Sequence, residues 1–569
     1  MAIHSARRGS ARRGGGRSAA PPLVAGVLPR DAVLLGGLAV VVAAAAALRL
    51  PHLSAHLPAL VHPDEPTVVG RALGVLDGQL VPPQFDWPPL SAYVMAAAVA
   101  VTGLVEPGLA ADPGRLYLLG RLLFLAVAVT AVALTGLLGA ALAERPGSGA
   151  ARDGRWPVRT TAWVAAGAMA ISYTSLRLSR IAHPEHLQIV WTLAALLATL
   201  AYDRCRRLRW LAAAGALAGL AGATKYLGVT VALPAAVAVW WWPGAPARRR
   251  GVHLALLAGS AAAAFVAGTL GTVLRGGRFV EGLLWQVGHQ AGGHLGYEAA
   301  GPGWLFHFTT AMPGNWGWPL TLLAAGGSGW VAARGSRPQR LVALFAVALF
   351  VVIGASRVRF PHYLLIVYPE LAALAAVALV HTVGGLARRG RLARGAGAVL
   401  ATAVAGSALA AGLDDVRLLR ASGSPDTRLL AAEAVATLDG PVWAEGHSVP
   451  DPPGVAVFSF GTTPQVLDCG CYAVVSSYQE QRYRRRPDLY RAESAVYERL
   501  RAQGRVVAVI APAVPLSYRW DLLPQWGVGE LPLSGPVGPT GPTITILDLR
   551  SPTGVVAGRR FPDREAVGD

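Results

Sequence analysis

Cysteine, lysine and acidic charge are all scarce in this chain. Its 569 residues include three cysteines, Cys205, Cys469 and Cys471. The last two are one residue apart, a poor spacing for an unstrained mutual disulfide. Neither a disulfide framework nor a cysteine metal motif is supported. Of 51 Lys and Arg residues a single one, Lys225, is lysine, and only 32 residues are acidic, which leaves a formal charge of +19. Charged residues make up 15% of the chain against 53% hydrophobic ones, and mean hydropathy is +0.44. That balance excludes a soluble multidomain protein and indicates a polytopic membrane protein. The arginine excess lies in loops between apolar runs, so positive-inside bias accounts for it and nucleic acid is not implied.

Residues 1–30, with Arg7, Arg8, Arg12, Arg13 and Arg17 among Gly, Ser and Ala, read as a disordered basic cytoplasmic arm without a cleavable signal pattern. About eleven spans follow, at 31–50, 115–143, 160–177, 185–202, 209–224, 226–243, 252–274, 316–333, 340–356, 362–382 and 395–413. With the N-terminus inside, every dense basic loop falls on the cytoplasmic side, from Arg145/Arg152/Arg155/Arg159 to Arg388/Arg389/Arg391/Arg394. Segment 89–105 is apolar enough to span, but counting it would reverse that order. It is expected to lie on the membrane surface or re-enter.

The fold class expected is therefore mainly α: a helical membrane domain over 31–415 with outer loops 51–114 and 275–315. An extracytoplasmic α/β domain is expected over 425–555, with a tail at 556–569. The setting is a cytoplasmic membrane with the C-terminal domain outside. In that domain strands are expected at 441–445, 455–460, 472–476, 506–511 and 543–549, and helices at 427–438 and 488–503.

The polar clusters gather on the outer face. Pro66 suits a first helical turn and disfavours helical geometry at Glu65, so Asp64 and Glu65 are expected at a helix N-terminus. The helix dipole there favours ionised carboxylates, which suits a general base or a metal ligand; a simple cap is the alternative. His183-Pro184-Glu185-His186 repeats the arrangement, and Arg177 and Arg180 beside it suit an anion. A divalent metal on Asp64, Glu185 and His186 is a further candidate, with unspecific spacing. Lys225 at the outer end of a span suits a phosphate as a compact point charge, and snorkelling is its bland reading. Arg357, Arg359 and His362 add a second basic cluster. The loop 275–315 carries His289, His294, Tyr297, Glu298, Trp304 and His307, of which His294 is the favoured site-lining residue.

In order, His62-Pro63-Asp64-Glu65, Asp86-Trp87-Pro88-Pro89-Leu90, Arg180-Ile181-Ala182-His183-Pro184-Glu185, Thr224-Lys225-Tyr226 and Arg359-Phe360-Pro361-His362-Tyr363 resemble GT-C-fold glycosyltransferases of family 39. These are the protein-mannosyltransferase and aminoarabinose-transferase type. The resemblance implies transfer of a hexosyl or pentosyl group from a polyprenyl-phosphate sugar donor to a cell-envelope acceptor, whether protein, lipid or glycan. It implies Asp64 as catalytic carboxylate with Glu65 beside it. Donor phosphate would be held by Lys225, Arg180, Arg357, Arg359 and His362, with His62, Asp86, His183, Glu185, His186 and His294 lining the substrates. Two positions depart from the pattern: Trp87 stands where aminoarabinose transferases have lysine, and Glu185 replaces the usual Asp. A lipid phosphate is a good leaving group, so one base and several cations suffice and direct displacement inverts the anomeric carbon. A transporter or flippase of a lipid-linked sugar, or an inactive sensor, is the alternative. One-sided polar clusters and a following soluble domain favour the enzyme.

Overall fold

A computed structural model describes residues 31–83, 85–143, 155–296, 298, 301–450, 455–458, 463–513 and 532–550. The expected arm and tail, Arg145, Arg152 and Tyr297 lie outside the described residues.

A helix stands at every expected span. The order is α1 (Ala32–Arg49), α2 (Glu65–Leu76), α3 (Leu90–Gly103), α4 (Pro113–Ala143), α5 (Arg155–Ala170), α6 (Tyr173–Leu178), α7 (Glu185–Cys205) and α8 (Leu208–Thr224). Next come α9 (Ala232–Trp240), α10 (Ala247–Gly268), α11 (Gly276–Gly292), α12 (Met312–Arg334), α13 (Arg337–Ala355), α14 (Tyr368–Ala387) and α15 (Arg391–Ser422). By length and composition α1, α4, α10, α13, α14 and α15 can each cross a membrane. This is a multi-pass helical membrane protein. The 17 residues of α8 rise about 25 Å at 1.5 Å each, short of the roughly 30 Å apolar layer. The core is formed by α1, α4, α5, α7, α12, α13 and α14, around Trp316, Phe345 and Tyr368.

The basic loops meet at one end of the bundle. Arg337 reaches Asp203 at 2.8 Å and the carbonyls of Ala238 and Trp241, and Arg206 reaches Asp203 and Ala238. Arg159 holds Asp31 at the start of α1. Loops assigned to one side by charge thus touch one another.

Segment 89–105 becomes α3, whose 14 residues rise only about 21 Å. It packs through Met95, Ala96 and Val99 on Val68, Val69 and Ala72 of α2 and on Leu116 and Phe124 of α4. Together α2 and α3 form a shelf beside the bundle.

After α15 the chain builds α16 (Thr427–Val435) and a five-stranded sheet of β1 (Val442–Glu445), β2 (Ala456–Phe458), β3 (Tyr472–Ser476), β4 (Arg505–Ile510) and β5 (Ile544–Asp548), ordered β2-β1-β3-β5-β4. β1 pairs in parallel with β2 and β3, while β5 runs antiparallel to β3 and β4. The expected strands match within a few residues. Two helices flank the sheet, α17 (Ser477–Arg484) and α18 (Arg491–Gln503), and α17 was not anticipated. Cys469 and Cys471 are joined in a disulfide, with Cα atoms 5.2 Å apart, against the expectation from spacing. The reason is Gly470 between them, whose φ of 57° turns the chain back where other residues are strained.

Candidate functional site

Pro66 stands in the first turn of α2, as its fixed φ and missing N–H allow. Glu65 nevertheless becomes the first helical residue, and Asp64 precedes it with helical backbone angles and no side-chain cap bond. The two carboxylates then part. Glu65 is completely buried and takes a two-pronged contact from Arg121, Nε to Oε1 at 2.8 Å and Nη2 to Oε2 at 2.9 Å, plus the Ala182 N–H at 3.3 Å. Arg121 also donates to the Leu53 and Ala55 carbonyls. Loop, corner and α4 are therefore tied at one buried ion pair. A carboxylate engaged this way positions the loop, and the geometry gives Glu65 that part in place of chemistry.

Asp64 has different neighbours. Its Oδ2 lies 3.6 Å from His183 Nε2, and 36% of its side chain is exposed, against 1% for His183. Its N–H donates to His62 Nδ1 at 3.3 Å. Burial raises the Asp64 carboxyl, but the His183, His62 and His362 rings around it together outweigh this and hold it below the usual carboxylate range. Burial pushes the His62 ring down to about 3, so His62 is neutral. Asp64 is thus an ionised carboxylate open to a ligand and backed by rings rather than by an arginine.

The corner follows the same sequence logic. Pro184 precedes α7, and Glu185 opens the helix. Lys225 caps α8 in extended geometry and places Nζ 2.5 Å from Glu185 Oε1, over the rings of Trp87 at 5.2 Å and Tyr363 at 5.9 Å. His362 has both Lys225 and Asp64 as charged neighbours. The His183 ring stands edge-on to Trp87 at 5.5 Å, His362 at 6.0 Å and His62 at 6.3 Å. Asp64, His62, His183, Glu185, Lys225 and His362 therefore form one cluster. Asp86 stands behind it, holding Arg71 at 2.6 Å while Arg71 also grips the Trp87 carbonyl.

Other expected residues sit further out. His294 belongs to a run of rings, Trp285–His289–His294–Phe360–His362, with successive centroids 5.1, 5.4, 5.2 and 5.2 Å apart. Burial pushes the His294 ring down to about 3. The Arg359 side chain is turned to the Gly301 carbonyl, and the Arg357 N–H donates to the Gln290 carbonyl. His186 is buried with Nε2 3.0 Å from Ser175 Oγ. With Glu185 on Lys225 and His186 on Ser175, Asp64, Glu185 and His186 do not converge. Among the described residues no group of three or more His, Cys, Asp or Glu is arranged to hold a metal.

Arg180 is drawn to a different place. A cavity of about 160 Å³ opens between the first outer loop, the 177–181 corner, the end of α15 and the sheet unit, with His62, Arg121, Arg177, Arg180 and Arg428 in its lining. Arg428 Nη1 donates to the Val61 carbonyl at 2.5 Å, one residue before His62. Arg121 and Arg428 were missed from sequence. Arg121 carried a signal, a charge inside an apolar span, which is costly unless used. Arg428 carried none.

A model of the dolichyl-phosphate-mannose-protein mannosyltransferase family matches residues 153–247, which include the His183 corner and Lys225. No curated protein matches the sequence. Among solved structures, ArnT from Cupriavidus metallidurans bound to undecaprenyl phosphate is 17% identical with a TM-score of 0.50, over 91% of this chain and 98% of that one. Its apo state is also 17% identical with a TM-score of 0.50, over 90% and 98%. The archaeal oligosaccharyltransferase AglB from Archaeoglobus fulgidus, in complex with an inhibitory peptide and a dolichol-phosphate, is 14% identical with a TM-score of 0.51, over 84% and 73%. The chain has the GT-C fold that the resemblance in its motifs implied.

Proposed function

We propose that this protein is a membrane glycosyltransferase that moves a sugar from a polyprenyl-phosphate donor to an acceptor hydroxyl on the extracytoplasmic face. The observation that carries the reading is Asp64: an ionised, partly exposed carboxylate set beside the His183 ring, in one cluster with a lysine. Family 39 resemblance of the motifs and the GT-C fold support it, as does the gathering of basic loops at the far end, which suits a cytoplasmic side.

The acceptor oxygen attacks the anomeric carbon, and the bond from that carbon to the phosphate oxygen breaks. The electron pair leaves with polyprenyl phosphate, and the hydroxyl proton passes to Asp64. A carboxylate held this acidic is a weak base, so it orients the hydroxyl first and accepts the proton only as the new bond forms. Lys225 meets the charge that grows on the departing phosphate; its ammonium has three N–H donors, and Glu185 takes one. His183 fixes Asp64, and the Trp87 and Tyr363 rings hold Lys225 in place. One direct displacement inverts the sugar configuration.

The test is a panel of polyprenyl-phosphate hexoses and pentoses offered to the purified protein in lipid with mixed cell-envelope acceptors. One donor should release polyprenyl phosphate only when acceptor is present, with a product of inverted anomeric configuration. Binding of a lipid-linked sugar without release would favour a transporter, and a retained configuration would refute direct displacement.

A further inference from the structure

His62 has two sides. Nδ1 accepts from the Asp64 N–H, while Nε2 is buried and has no hydrogen-bond partner. In a neutral ring that accepts at Nδ1, Nε2 carries the proton, so it is a buried donor awaiting an acceptor. The same ring lines the cavity described above, whereas Asp64, Glu185, Lys225 and His362 do not.

The cavity is built for negative charge. Its lining holds Arg121, Arg177, Arg180 and Arg428 against one carboxylate, Asp426. Glu65 answers Arg121, and Asp426 answers Arg428 at 2.7 Å. Arg180 donates to a neutral acceptor, the Arg49 carbonyl at 3.2 Å, and burial with Arg121 nearby pushes it down to about 10. The field at Arg180 is therefore positive and not cancelled locally. Across from it the sheet unit supplies Thr540 and Gly541. Gly541 has φ 115°, and an added Cβ would lie 2.6 Å from Thr427 Oγ1, so that floor admits only glycine.

We propose that this cavity binds an anionic group of the acceptor, a phosphate or carboxylate, so that the acceptor hydroxyl is presented past His62 to Asp64. The inference rests on the glycosyltransferase reading and deepens it: the acceptor is an anionic hydroxyl compound, and the sheet unit takes part in recognising it. Lys225 and the arginine cavity then serve two different anions on two substrates. An anion in the cavity would also take the idle Nε2–H of His62, which couples acceptor binding to the residue that holds the Asp64 backbone.

Binding of glycerol 1-phosphate, with glycerol as neutral control, tests this on the full chain in nanodiscs of zwitterionic lipid. Wild type is expected to bind the phosphate saturably and to ignore glycerol. Arg180→Gln should weaken that binding at least about tenfold, the loss of one charge-assisted contact. Arg180→Lys should keep most of it, which guards against a folding artefact, and Lys225→Gln should leave it in place. Lysophosphatidic acid added to the same nanodiscs distinguishes the source: displacement of the soluble probe marks a lipid-borne anion, and none marks a soluble one. No saturable binding to wild type, or equal loss in Arg180→Gln and Lys225→Gln, would overturn the proposal. Failure of the glycosyltransferase reading shows separately, as intact probe binding without release of polyprenyl phosphate from any donor.

Discussion

Asp64 and Glu65 are adjacent acids with opposite fates, decided by one arginine 56 positions away from Glu65 in sequence. Removing one partner of a buried pair strands the other charge, so Arg121→Ala should cost about 3–5 kcal/mol. A markedly lower unfolding midpoint in lipid is the expected readout, and a midpoint equal to wild type would refute the role given to that pair. Lys225→Gln keeps an N–H donor for the buried Glu185 and should cost less than Arg121→Ala, its main effect being a raised Kd for the donor. Asp64, His62, His183, Glu185 and Lys225 were legible in the sequence because proline-started helices and a lone lysine mark them locally. Arg121 was marked only as a charge inside an apolar span, without its partner Glu65, and the contact of Arg428 with Val61, 367 positions away, left no local mark.

At the scale of elements, α8 sets where Lys225 stands. Gly215 and Gly219 are four residues apart on the face toward α10, and added Cβ atoms would lie 2.5 Å from the Leu257 carbonyl and 2.2 Å from that of Ala261. Small residues at this spacing let membrane helices approach closely. Gly219→Leu should force the helices apart, lower the unfolding midpoint and weaken donor binding together; unchanged donor affinity would separate α8 packing from the site. In the sheet unit, burial pushes Glu445 up to about 8, opposed by bonds from the Tyr497 hydroxyl and the Ser476 N–H. Its folded pKa exceeds the ordinary 4.5, so the stability it lends is full below that value and is lost as pH rises through about 8. Hydrogen exchange at β1 and β3 in the full chain should be faster at pH 9 than at pH 6 after correction for intrinsic rates, and Glu445→Gln should flatten the difference. Strands were readable from their alternation and β-branched content. The helix α17 was not, because Ser477–Arg484 is nearly all polar and is held by tertiary contacts of Tyr478, Glu480 and Tyr483 rather than by an apolar period.

The whole molecule joins a helical bundle, a lateral shelf of α2 and α3, and a sheet unit tied to the first outer loop through Arg428. Charge alternation made the order of helices legible, and the meeting of Asp203, Ala238 and Trp241 at Arg337 is its structural counterpart. The contribution of the sheet unit to a cavity was invisible beforehand, because cavities arise from pairings between segments hundreds of residues apart. The most direct measurement of the central claim is acceptor-dependent release of polyprenyl phosphate by wild type and Asp64→Asn in lipid, with donor Kd and unfolding midpoint recorded alongside. The expected result is a fall in turnover of about 10²-fold or more, with donor binding and folding preserved. Wild-type turnover in a folded Asp64→Asn protein would contradict the account.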